Sequence, residues 1–424
     1  MSFLTFRSKI LQKTARIGVI GLGYVGLPLA ILFAKKGFQV TGFLRDHKKI
    51  SALQGGENYL TDLDIADDLA RVIKSKSLRV AIMNAQEAKN QDIFIICVPT
   101  PIDAKKKPNI EALRSVARFL QNIPLDGKLI INESTVAPGM TRSEFGHLKG
   151  HYYLVCSPER VDPGNKEKPV TAIPKVVGGI NRDSQQLAKT LYESILENPV
   201  LTVSSPEAAE MTKMLENTYR AVNIALSNEF AILCEASGID ILEVIHAAKT
   251  KWSYHAHYPG IGVGGHCIPV DPYYLVEYAK KKKIPLSLVS TGLRRNEEMG
   301  KHVLNKLLAV YKKGMSVLVY GLAYKKDVKD LRESPALHIC MLLKKHNIPF
   351  AVYDPFLCKE EIQGFSYVVG KLAPVDMLVI GTDHGALAKD AKKLIRSNTI
   401  IVDGRNFFQK KVGKVVYGVG RSFV

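Results

Sequence analysis

The sequence predicts an α/β protein in which two doubly wound domains are joined by a long central helix and a helical middle domain. Short apolar strands alternate with helical patterns from Arg16 to Ser204, and this alternation resumes at Met315. A long stretch without proline or glycine separates the two regions. The predicted domains are therefore residues 1–204, 205–311 and 312–424, since a chain of 424 residues can build two or three cores.

The predicted strands are short apolar runs with helical patterns between several of them, which is typical of parallel sheets. They are Arg16–Ile20, Phe38–Phe43, Ile93–Val98, Lys128–Asn132, Tyr152–Cys156, Ser316–Gly321, Pro349–Tyr353, Asp376–Ile380 and Thr399–Val402. Residues 1–15 lack the apolar core and cleavage site of a signal peptide. We therefore expect them to be a short extension before the first strand of a cytoplasmic protein.

The central helix is predicted to begin at Pro206 and to end before Gly238. Proline at the first helical position and Glu207 in the first turn form a typical helix start. Apolar residues recur at helical spacing along residues 207–237. A helix of this length can cross between domains and carry a subunit interface.

The composition argues against several classes of function. The net charge is +19, but the basic residues are scattered, which favours a solvated surface that attracts anionic small molecules over a nucleic-acid site. Apolar runs such as Asp92–Pro99 are only one strand long, so no membrane span is expected. The six cysteines are far apart and form no CxxC pair, so neither a disulfide framework nor a structural metal site is expected.

A glycine-rich turn predicts a dinucleotide site. Gly21-Leu22-Gly23-Tyr24-Val25-Gly26 follows the first strand and opens a helix. The first glycine permits the tight turn, the second lets the backbone approach a pyrophosphate, and the third permits close packing of helix on strand. The alternative is a purely structural turn, but this context favours a Rossmann-like dinucleotide domain. The C-terminal α/β domain lacks this fingerprint.

The residue expected to select the cofactor departs from the usual pattern. An acid commonly ends the second strand and binds the ribose of NAD, but Leu44 holds that position here. Arg45 could pair with the 2′-phosphate of NADP, whereas Asp46 could reach the ribose if the turn is tight. We expect NAD as the cofactor, and NADP is not excluded.

The loop from Gly260 to Pro272 contains a thiol, Cys267, among glycines and beside His266. A cysteine in an apolar strand is usually part of the core, but this setting favours a nucleophile. Removing one hydride from an alcohol needs no covalent help. A second oxidation does, because thiolate addition to the aldehyde creates a group that can give up hydride and become a thioester. The thiol and the dinucleotide turn together predict oxidation of an alcohol to an acid.

Two residues of the central helix are candidates for stabilising an oxyanion. Lys213 and Asn217 are four residues apart and therefore lie on one helix face. An ammonium and an amide donor side by side can stabilise developing negative charge. Without other support, the same pair would be an ordinary exposed face.

At these motifs the sequence resembles the UDP-glucose/GDP-mannose dehydrogenase family along nearly the whole chain after Ala15. The other matching motifs are Val98-Pro99-Thr100-Pro101, Glu133-Ser134-Thr135-Val136, Ser157-Pro158-Glu159-Arg160, Gly321-Leu322-Ala323-Tyr324-Lys325, Arg332-Glu333-Ser334-Pro335 and Asp403-Gly404-Arg405-Asn406. The resemblance implies two Rossmann-like domains, NAD as cofactor, a UDP-sugar substrate and a homodimer built on the central helix.

The resemblance also implies roles for individual residues. Implied catalytic residues are Cys267 as the thiol, Lys213 and Asn217 at oxyanions, Asp271 as an acid that orients or activates water, and Thr135 and Glu159 near the reacting centre. Implied cofactor contacts are Gly21, Gly23, Tyr24, Val25, Gly26, Arg45, Pro99, Thr100, Thr135 and Arg332. Implied substrate contacts are Glu159, Arg160, Lys213, Asn217, Tyr258, Gly262, Gly264, Lys325 and Arg405.

The motif around Glu159 favours one substrate branch. Residues 157–165 and 173–179 resemble the branch that acts on UDP-N-acetylglucosamine and its epimers. UDP-glucose enzymes usually carry a second glutamate four residues after the first, where this chain has Pro163. UDP-N-acetylglucosamine is therefore the expected substrate. UDP-glucose, UDP-N-acetylmannosamine and GDP-mannose remain alternatives.

Rival functions lack support in specific residues. A β-hydroxyacid dehydrogenase removes one hydride and needs neither the thiol nor the second α/β domain. A catalytically inactive sensor of nucleotide sugars would be expected to lack Cys267, Lys213 or Asp271, and all three are present. No recognised nucleic-acid-binding motif accompanies the basic composition.

Overall fold

The structure is a computed structural model that describes residues 2–60, 63–160, 173–362, 364–368 and 371–423. The chain forms two compact units. The first comprises residues 1–216 and 273–282, and the second comprises residues 217–272 and 283–424. The central segment of the chain thus contributes to both units. The three predicted domain boundaries stay predictions.

The first unit contains an eight-stranded sheet flanked by helices. Its strands are β1 (Arg16–Ile20), β2 (Gln39–Leu44), β3 (Leu78–Ile82), β4 (Ile93–Ile96), β5 (Leu129–Asn132), β6 (Tyr153–Cys156), β7 (Lys175–Gly179) and β8 (Val200–Val203). Its helices include α1 (Phe3–Leu11), α2 (Gly26–Lys35), α3 (His47–Gln54), α4 (Ala66–Lys74), α5 (Ala85–Ala88), α6 (Glu111–Leu120), α7 (Met140–Phe145) and α8 (Arg182–Glu193).

The strand order of this sheet positions the dinucleotide turn. The order is β3-β2-β1-β4-β5-β6-β7-β8, and every pair is parallel except β6 with β7. The order reverses direction between β1 and β4, where Ile17 pairs with Val40 on one side and Ile93 on the other. Ligands of doubly wound sheets bind at such a reversal, beyond the carboxyl ends of the strands.

The N-terminal segment before the first strand forms the helix α1, a secondary structure that the sequence did not predict. Ser2 caps this helix by accepting the N–H of Thr5, and the side chains of Phe6 and Ile10 are completely buried. Their spacing of four residues places both on the face that joins the core of the unit. The nine-residue pattern is too short to be separated from a loop by sequence.

Four helices follow β8, namely α9 (Pro206–Ser237), α10 (Ile241–Ala248), α11 (Asp271–Lys281) and α12 (Ser287–Val310). Helix α9 begins and ends within one residue of the predicted limits, and Gly238 after it adopts a positive φ of 68°. Glycine favours that conformation at a helix end. Within the described residues, no helix combines the length and apolar character needed to cross a membrane.

The second unit contains a seven-stranded sheet with the order β11-β10-β9-β12-β13-β14-β15. Its strands are β9 (Val317–Tyr320), β10 (Ala351–Tyr353), β11 (Ser366–Tyr367), β12 (Met377–Ile380), β13 (Ile400–Asp403), β14 (Val415–Gly418) and β15 (Arg421–Phe423), and its helices include α13 (Pro335–Lys345) and α14 (Leu387–Leu394). Strands β9 to β14 pair with their neighbours in parallel, and β15 pairs with β14 in the antiparallel direction. The prediction of two Rossmann-like domains is confirmed.

Candidate active site

The glycines of the turn after β1 serve different purposes. Gly21 has a φ of 92°, and a Cβ on it would overlap the carbonyl oxygen of Cys97. A Cβ on Gly26 would overlap the carbonyl oxygen of Gly21, so the fold itself requires both glycines. A Cβ on Gly23 would meet no atom within 4 Å. Open space at this position is where the backbone of a dinucleotide turn approaches a pyrophosphate.

The N-terminus of α2 offers polar groups suited to that ligand. In this described part of the chain, Val25 occupies the N-cap position and its side chain makes no capping hydrogen bond. The first N–H groups of a helix lack partners within the helix and form the positive end of its dipole. The open position at Gly23 and this uncapped helix end therefore fit the diphosphate of NAD.

The loops after β4 and β5 lie at the same edge of the sheet, because both strands run parallel to β1. Ser134 ties them together, since its hydroxyl accepts the N–H of Val98 at 2.9 Å and donates to the carbonyl of Ile96 at 3.3 Å. The predicted cofactor residues Pro99, Thr100 and Thr135 are carried by these two loops. The structure thus brings them to the edge that also carries the glycine turn.

Asp46, which follows β2, caps the next helix. Its Oδ1 accepts the N–H of Lys48 at 2.9 Å and the N–H of Lys49 at 3.3 Å, which caps helix α3. The guanidinium of Arg45 donates to the hydroxyl of Ser115, and Leu44 is half-buried. One oxygen of the Asp46 carboxylate is therefore used to cap the helix.

Cys267 has an exposed side chain and lies just before α11. Its carbonyl accepts the N–H of Val270 at 3.1 Å and the N–H of Asp271 at 2.8 Å, which fixes the turn into the helix. A thiol near a helix N-terminus ionises more readily, because the helix dipole favours the thiolate. Burial, followed by the charge of Arg332, lowers the pKa of His266, so the imidazole beside the thiol favours its neutral form.

Every other cysteine lies where its thiol is held protonated. Burial raises the pKa of Cys97, Cys156, Cys234 and Cys340, the last to about 12. Hydrogen bonding to the carboxylate of Glu361 raises the pKa of Cys358. These environments disfavour a thiolate nucleophile.

The predicted polar residues of α9 are both buried. Asn217 is 5% exposed, and its Nδ2 donates to Oδ2 of Asp271 at 2.5 Å within the second unit. Asp271 is 3% exposed and begins α11. Lys213, one helical turn before Asn217, is 8% exposed and belongs to the first unit. An ordinary solvent-facing pair is therefore wrong for this part of α9.

The glycines before Cys267 have a packing role in the second unit. A Cβ on Gly264 would lie 2.7 Å from Cβ of Tyr324 and 2.7 Å from Cδ of Pro335. Gly265 packs against the ring of Tyr324, and its N–H donates to the carbonyl of Arg332 at 3.1 Å. The loop before Cys267 therefore meets two later motifs, around Tyr324 and Arg332, that lie far from it in the sequence. The close packing explains why glycine is needed at these two positions, in addition to the predicted approach of a ligand.

Glu159 and Arg160 bind other residues of the first unit. The guanidinium of Arg160 binds the carboxylate of Glu216 at 2.6 Å and the carbonyl of Pro174 at 2.7 Å. Glu159 is 9% exposed and accepts from the ammonium of Lys175 at 3.0 Å. Residues 161–172, including the substrate-branch position Pro163, lie outside the described residues.

Lys175 also contacts a glutamate that the sequence did not single out. Its Nζ lies 2.5 Å from Oε2 of Glu133, and the hydroxyl of Tyr192 donates to the other oxygen of that carboxylate. All of these side chains are buried. Glu133 and Lys175 stand inside motifs recognised above, but no local pattern indicates that they meet.

The predicted substrate residues of the second unit fall into separate places. Tyr258 and Arg405 line one pocket of about 280 Å³, to which His246 and Gln409 also contribute. Nε of Arg405 lies 3.2 Å from the carboxylate of Asp383 in an ion pair. Such a pocket, with an aromatic ring, a guanidinium and amide groups, suits part of a nucleotide sugar.

Two other basic candidates of this unit lie in loops after β9. Lys325 is partly buried. Arg332 is held by Asp330, with guanidinium-to-carboxylate distances of 2.5 to 3.0 Å. Arg332 is thus already engaged by a neighbouring acid within its own loop.

The turn after β9 is filled by the protein itself. Oδ2 of Asp354 accepts the N–H of Leu322 at 2.7 Å and the N–H of Ala323 at 3.0 Å, and it lies 3.0 Å from Nε2 of His384. Asp354 and His384 are completely buried. A buried carboxylate of the protein therefore accepts the backbone N–H groups of this turn.

The chain matches known proteins along nearly its whole length. Residues 15–196 match the NAD binding domain of the UDP-glucose/GDP-mannose dehydrogenase family, residues 207–298 its central domain, and residues 318–410 its UDP binding domain. A UDP-N-acetyl-D-glucosamine 6-dehydrogenase from Pseudomonas aeruginosa is 36% identical over 365 residues, covering 82% of this chain and 85% of that protein.

Two further relatives carry a different substrate in their names. A UDP-N-acetyl-D-mannosamine dehydrogenase from Methanococcus vannielii is 33% identical over 421 residues, covering 95% of both chains. The solved structure of a UDP-D-ManNAc dehydrogenase from Pyrococcus horikoshii matches with a TM-score of 0.85 at 33% identity, covering 96% of this chain and 99% of that one.

Proposed function

This chain belongs to the UDP-glucose/GDP-mannose dehydrogenase family of NAD-dependent nucleotide-sugar oxidoreductases, and we propose that it oxidises the C6 hydroxyl of a UDP-N-acetylhexosamine to the carboxylate in two steps. The observation that carries this proposal is the exposed thiol of Cys267 at the N-terminus of α11. A family member that stopped at the aldehyde would not need it. UDP-N-acetylglucosamine is the first candidate substrate.

The proposed chemistry centres on the sulfur of Cys267. Bound at the glycine turn, NAD accepts a hydride in each oxidation. The first oxidation yields the aldehyde and a proton. Sγ of Cys267 then adds to the aldehyde carbon and forms a thiohemiacetal. Loss of the second hydride leaves a thioester, and water cleaves its C–S bond to release the acid and restore the thiol.

The buried polar residues are proposed to assist these steps. Lys213 and Asn217 stabilise the negative oxygen of the alkoxide and of the tetrahedral species. Asp271 orients Asn217, because it accepts one N–H of that amide and leaves the second for the substrate. Thr135 and Glu159 act near the reacting carbon.

The remaining contacts of the proposal concern binding. Tyr258 and Arg405 contribute to a pocket for part of the nucleotide sugar, and Lys325 adds a positive charge for the diphosphate. Arg160, Gly262 and Gly264 are further proposed substrate residues, while Arg45 and Arg332 are proposed cofactor residues. The reducing cytoplasm is the proposed location, because the cysteines lack the spacing of a disulfide framework.

UDP-N-acetylmannosamine is a second candidate substrate, favoured by the names of two relatives described above. The two sugars differ only in the configuration at C2, the carbon that carries the acetamido group. A panel of both, with UDP-glucose and GDP-mannose, distinguishes them by kcat/KM for NADH formation. The expected result is two NADH per sugar, a uronic acid product and the highest kcat/KM for an N-acetylhexosamine. One NADH with an accumulating aldehyde would refute the thioester route.

A further inference from the structure

A buried cluster in the first unit contains more negative than positive side chains. Glu133 follows β5, Glu159 follows β6, Lys175 begins β7, and Tyr192 lies on α8. None of these four residues is more than 9% exposed. Two carboxyl groups share one ammonium, so full ionisation would leave one buried negative charge without compensation.

The contacts show how the cluster avoids that charge. Oε2 of Glu133 and Oε2 of Glu159 lie 2.5 Å and 3.0 Å from the same ammonium nitrogen, Nζ of Lys175. Two ionised carboxylates this close together in a buried site repel each other, so one of them favours the protonated form. One proton, one ammonium and one carboxylate charge make the buried cluster neutral, which is the arrangement that burial favours.

The two glutamates are not equivalent in this arrangement. Burial, together with the charge of Glu159, raises the pKa of Glu133 to about 7. Burial acts in the same direction on Glu159, but Lys175 and the N–H of Arg160 outweigh it and hold the pKa of Glu159 at about 2. The shared proton therefore resides on Glu133.

Among the described residues, a thiol and a phenol near the cluster stay neutral. Burial and the charge of Glu133 raise the pKa of the Cys97 thiol and of the Tyr192 hydroxyl well above their ordinary values. Neither group changes its charge near neutral pH. Glu133 is thus the member of the cluster whose protonation changes in that range.

We propose that Glu133 and Lys175 are positioning residues for Glu159, which hold its carboxylate ionised and in one orientation while Glu133 keeps the single proton of the pair. This inference rests on the proposed function, in which Glu159 acts near the reacting carbon of the sugar. Lys175 fixes the charge of Glu159. Glu133 holds the ammonium of Lys175 in place at 2.5 Å, and the hydroxyl of Tyr192 donates to the other oxygen of Glu133.

The test is the pH dependence of kcat in three variants of the full-length protein. Lys175→Met removes the ammonium that binds both glutamates, so the pKa of Glu159 rises and the acidic limb of kcat moves up by roughly one pH unit or more. Lys175→Arg keeps the positive charge, so the acidic limb of kcat should lie at the same pH as in the unmodified protein. Glu133→Gln keeps a neutral hydrogen-bond donor, so kcat at neutral pH stays within about threefold of the original. A loss in Lys175→Met that is equal at every pH would show a merely structural role and overturn the proposal.

A second measurement needs no substrate. Folded Glu133 keeps its proton up to about pH 7, whereas its ordinary value is 4.5. The folded state therefore binds more protons between these values, and its stability falls as the pH rises through this window. Glu133→Gln removes that contribution, so its melting temperature relative to the unmodified protein should rise from pH 5 to pH 7. A constant difference would overturn the shared proton.

Glu210 provides a matched control in the same unit. Burial raises its pKa to about 7 as well, and its carboxylate accepts the N–H groups of Gly139 at 2.5 Å and Thr141 at 2.7 Å. Glu210→Gln should change the pH dependence of stability but leave the acidic limb of kcat in place. If no UDP-sugar is oxidised, the proposed function fails and the stability measurement still decides the shared proton. If the sugar is oxidised and Lys175→Met leaves the limb unmoved, only this inference fails.

Discussion

Cys267 differs from the other five cysteines in its surroundings. Cys358 is also exposed, but the acidic neighbour Glu361 holds its thiol protonated. Cys267 instead adjoins the positive end of α11. Exposure alone therefore does not distinguish the proposed nucleophile, whereas exposure beside a helix N-terminus does.

Replacing the thiol tests this distinction. Cys267→Ser should lower uronic acid formation by roughly a thousandfold or more, because a serine hydroxyl is far harder to ionise. Its melting temperature and its NAD affinity should change little, since the side chain is exposed. Cys358→Ser is the matched control and should keep full turnover. Near-normal acid formation by Cys267→Ser would mean that another group performs the chemistry.

Cofactor choice also depends on single residues. Domains that bind NAD usually end the second strand with an acid that repels the 2′-phosphate of NADP, and Leu44 replaces it here. Asp46 caps α3, so we do not expect it to take over that repulsion. We expect the unmodified enzyme to prefer NAD and to discriminate only weakly against NADP. Leu44→Asp should raise the ratio of kcat/KM for NAD over NADP by roughly tenfold, chiefly by penalising NADP.

Asp46→Ser is a suitable control for that comparison. Serine caps helices well, so this change removes the charge and preserves the start of α3. The cofactor ratio should then stay the same. A ratio that falls in Asp46→Ser would show that the capping carboxylate also reaches the cofactor, and a clear preference of the unmodified enzyme for NADP would overturn the assignment of NAD.

Helix α9 exposes large apolar side chains along one face. In the second unit these are Tyr219, Leu226, Phe230 and Leu233, which are 45 to 59% exposed. Their steps of seven, four and three residues keep them on one side of the helix. Exposed apolar stripes of this kind mark interaction surfaces. We propose that this stripe forms the homodimer interface.

Charge placed on the stripe should prevent dimer formation. The double variant Leu226→Asp with Phe230→Asp buries two carboxylates in the proposed interface, so it should sediment as a monomer at concentrations where the unmodified protein is a dimer. Leu288→Asp changes an apolar residue of α12 that is 71% exposed and should leave the dimer intact. A double variant that remains dimeric would assign the interface to another surface.

Local patterns predicted the elements and motifs that depend on neighbouring residues. Strand β1 has its predicted limits, because Arg16–Ile20 is an apolar run bounded by the glycine turn. The strands that these patterns do not predict are β3, β7, β8, β11, β14 and β15. For example, β3 contains the charged Arg79 and β7 ends in two glycines. Pattern alone does not separate such short segments from loops.

The same limit applies to the candidate site. Cys267 and Asp271 were predictable because one short loop carries both. The contact between Glu133 and Tyr192 joins residues that are 59 positions apart, and strand pairing and helix packing create it. Nothing in the residues next to either partner specifies that contact, so it could be found only in the folded structure.

At the scale of the whole molecule, the two Rossmann-like domains use the turn after their first strand differently. In the first unit, the space beside Gly23 is open to a pyrophosphate. In the second unit, Asp354 accepts the N–H groups of the equivalent turn, and His384 lies against the same carboxylate. Among the described residues, the open glycine turn of the first unit is therefore the one that we expect to bind the dinucleotide.

This filled second turn sets an order of events for the proposed reaction. Two hydrides leave the same carbon, and with one expected dinucleotide turn in each chain the NADH of the first transfer would have to be exchanged for NAD before the second. The half-oxidised sugar has to outlast that exchange. Covalent attachment to Cys267 would give it the necessary residence time, and the thiol would then serve as a tether as well as a nucleophile.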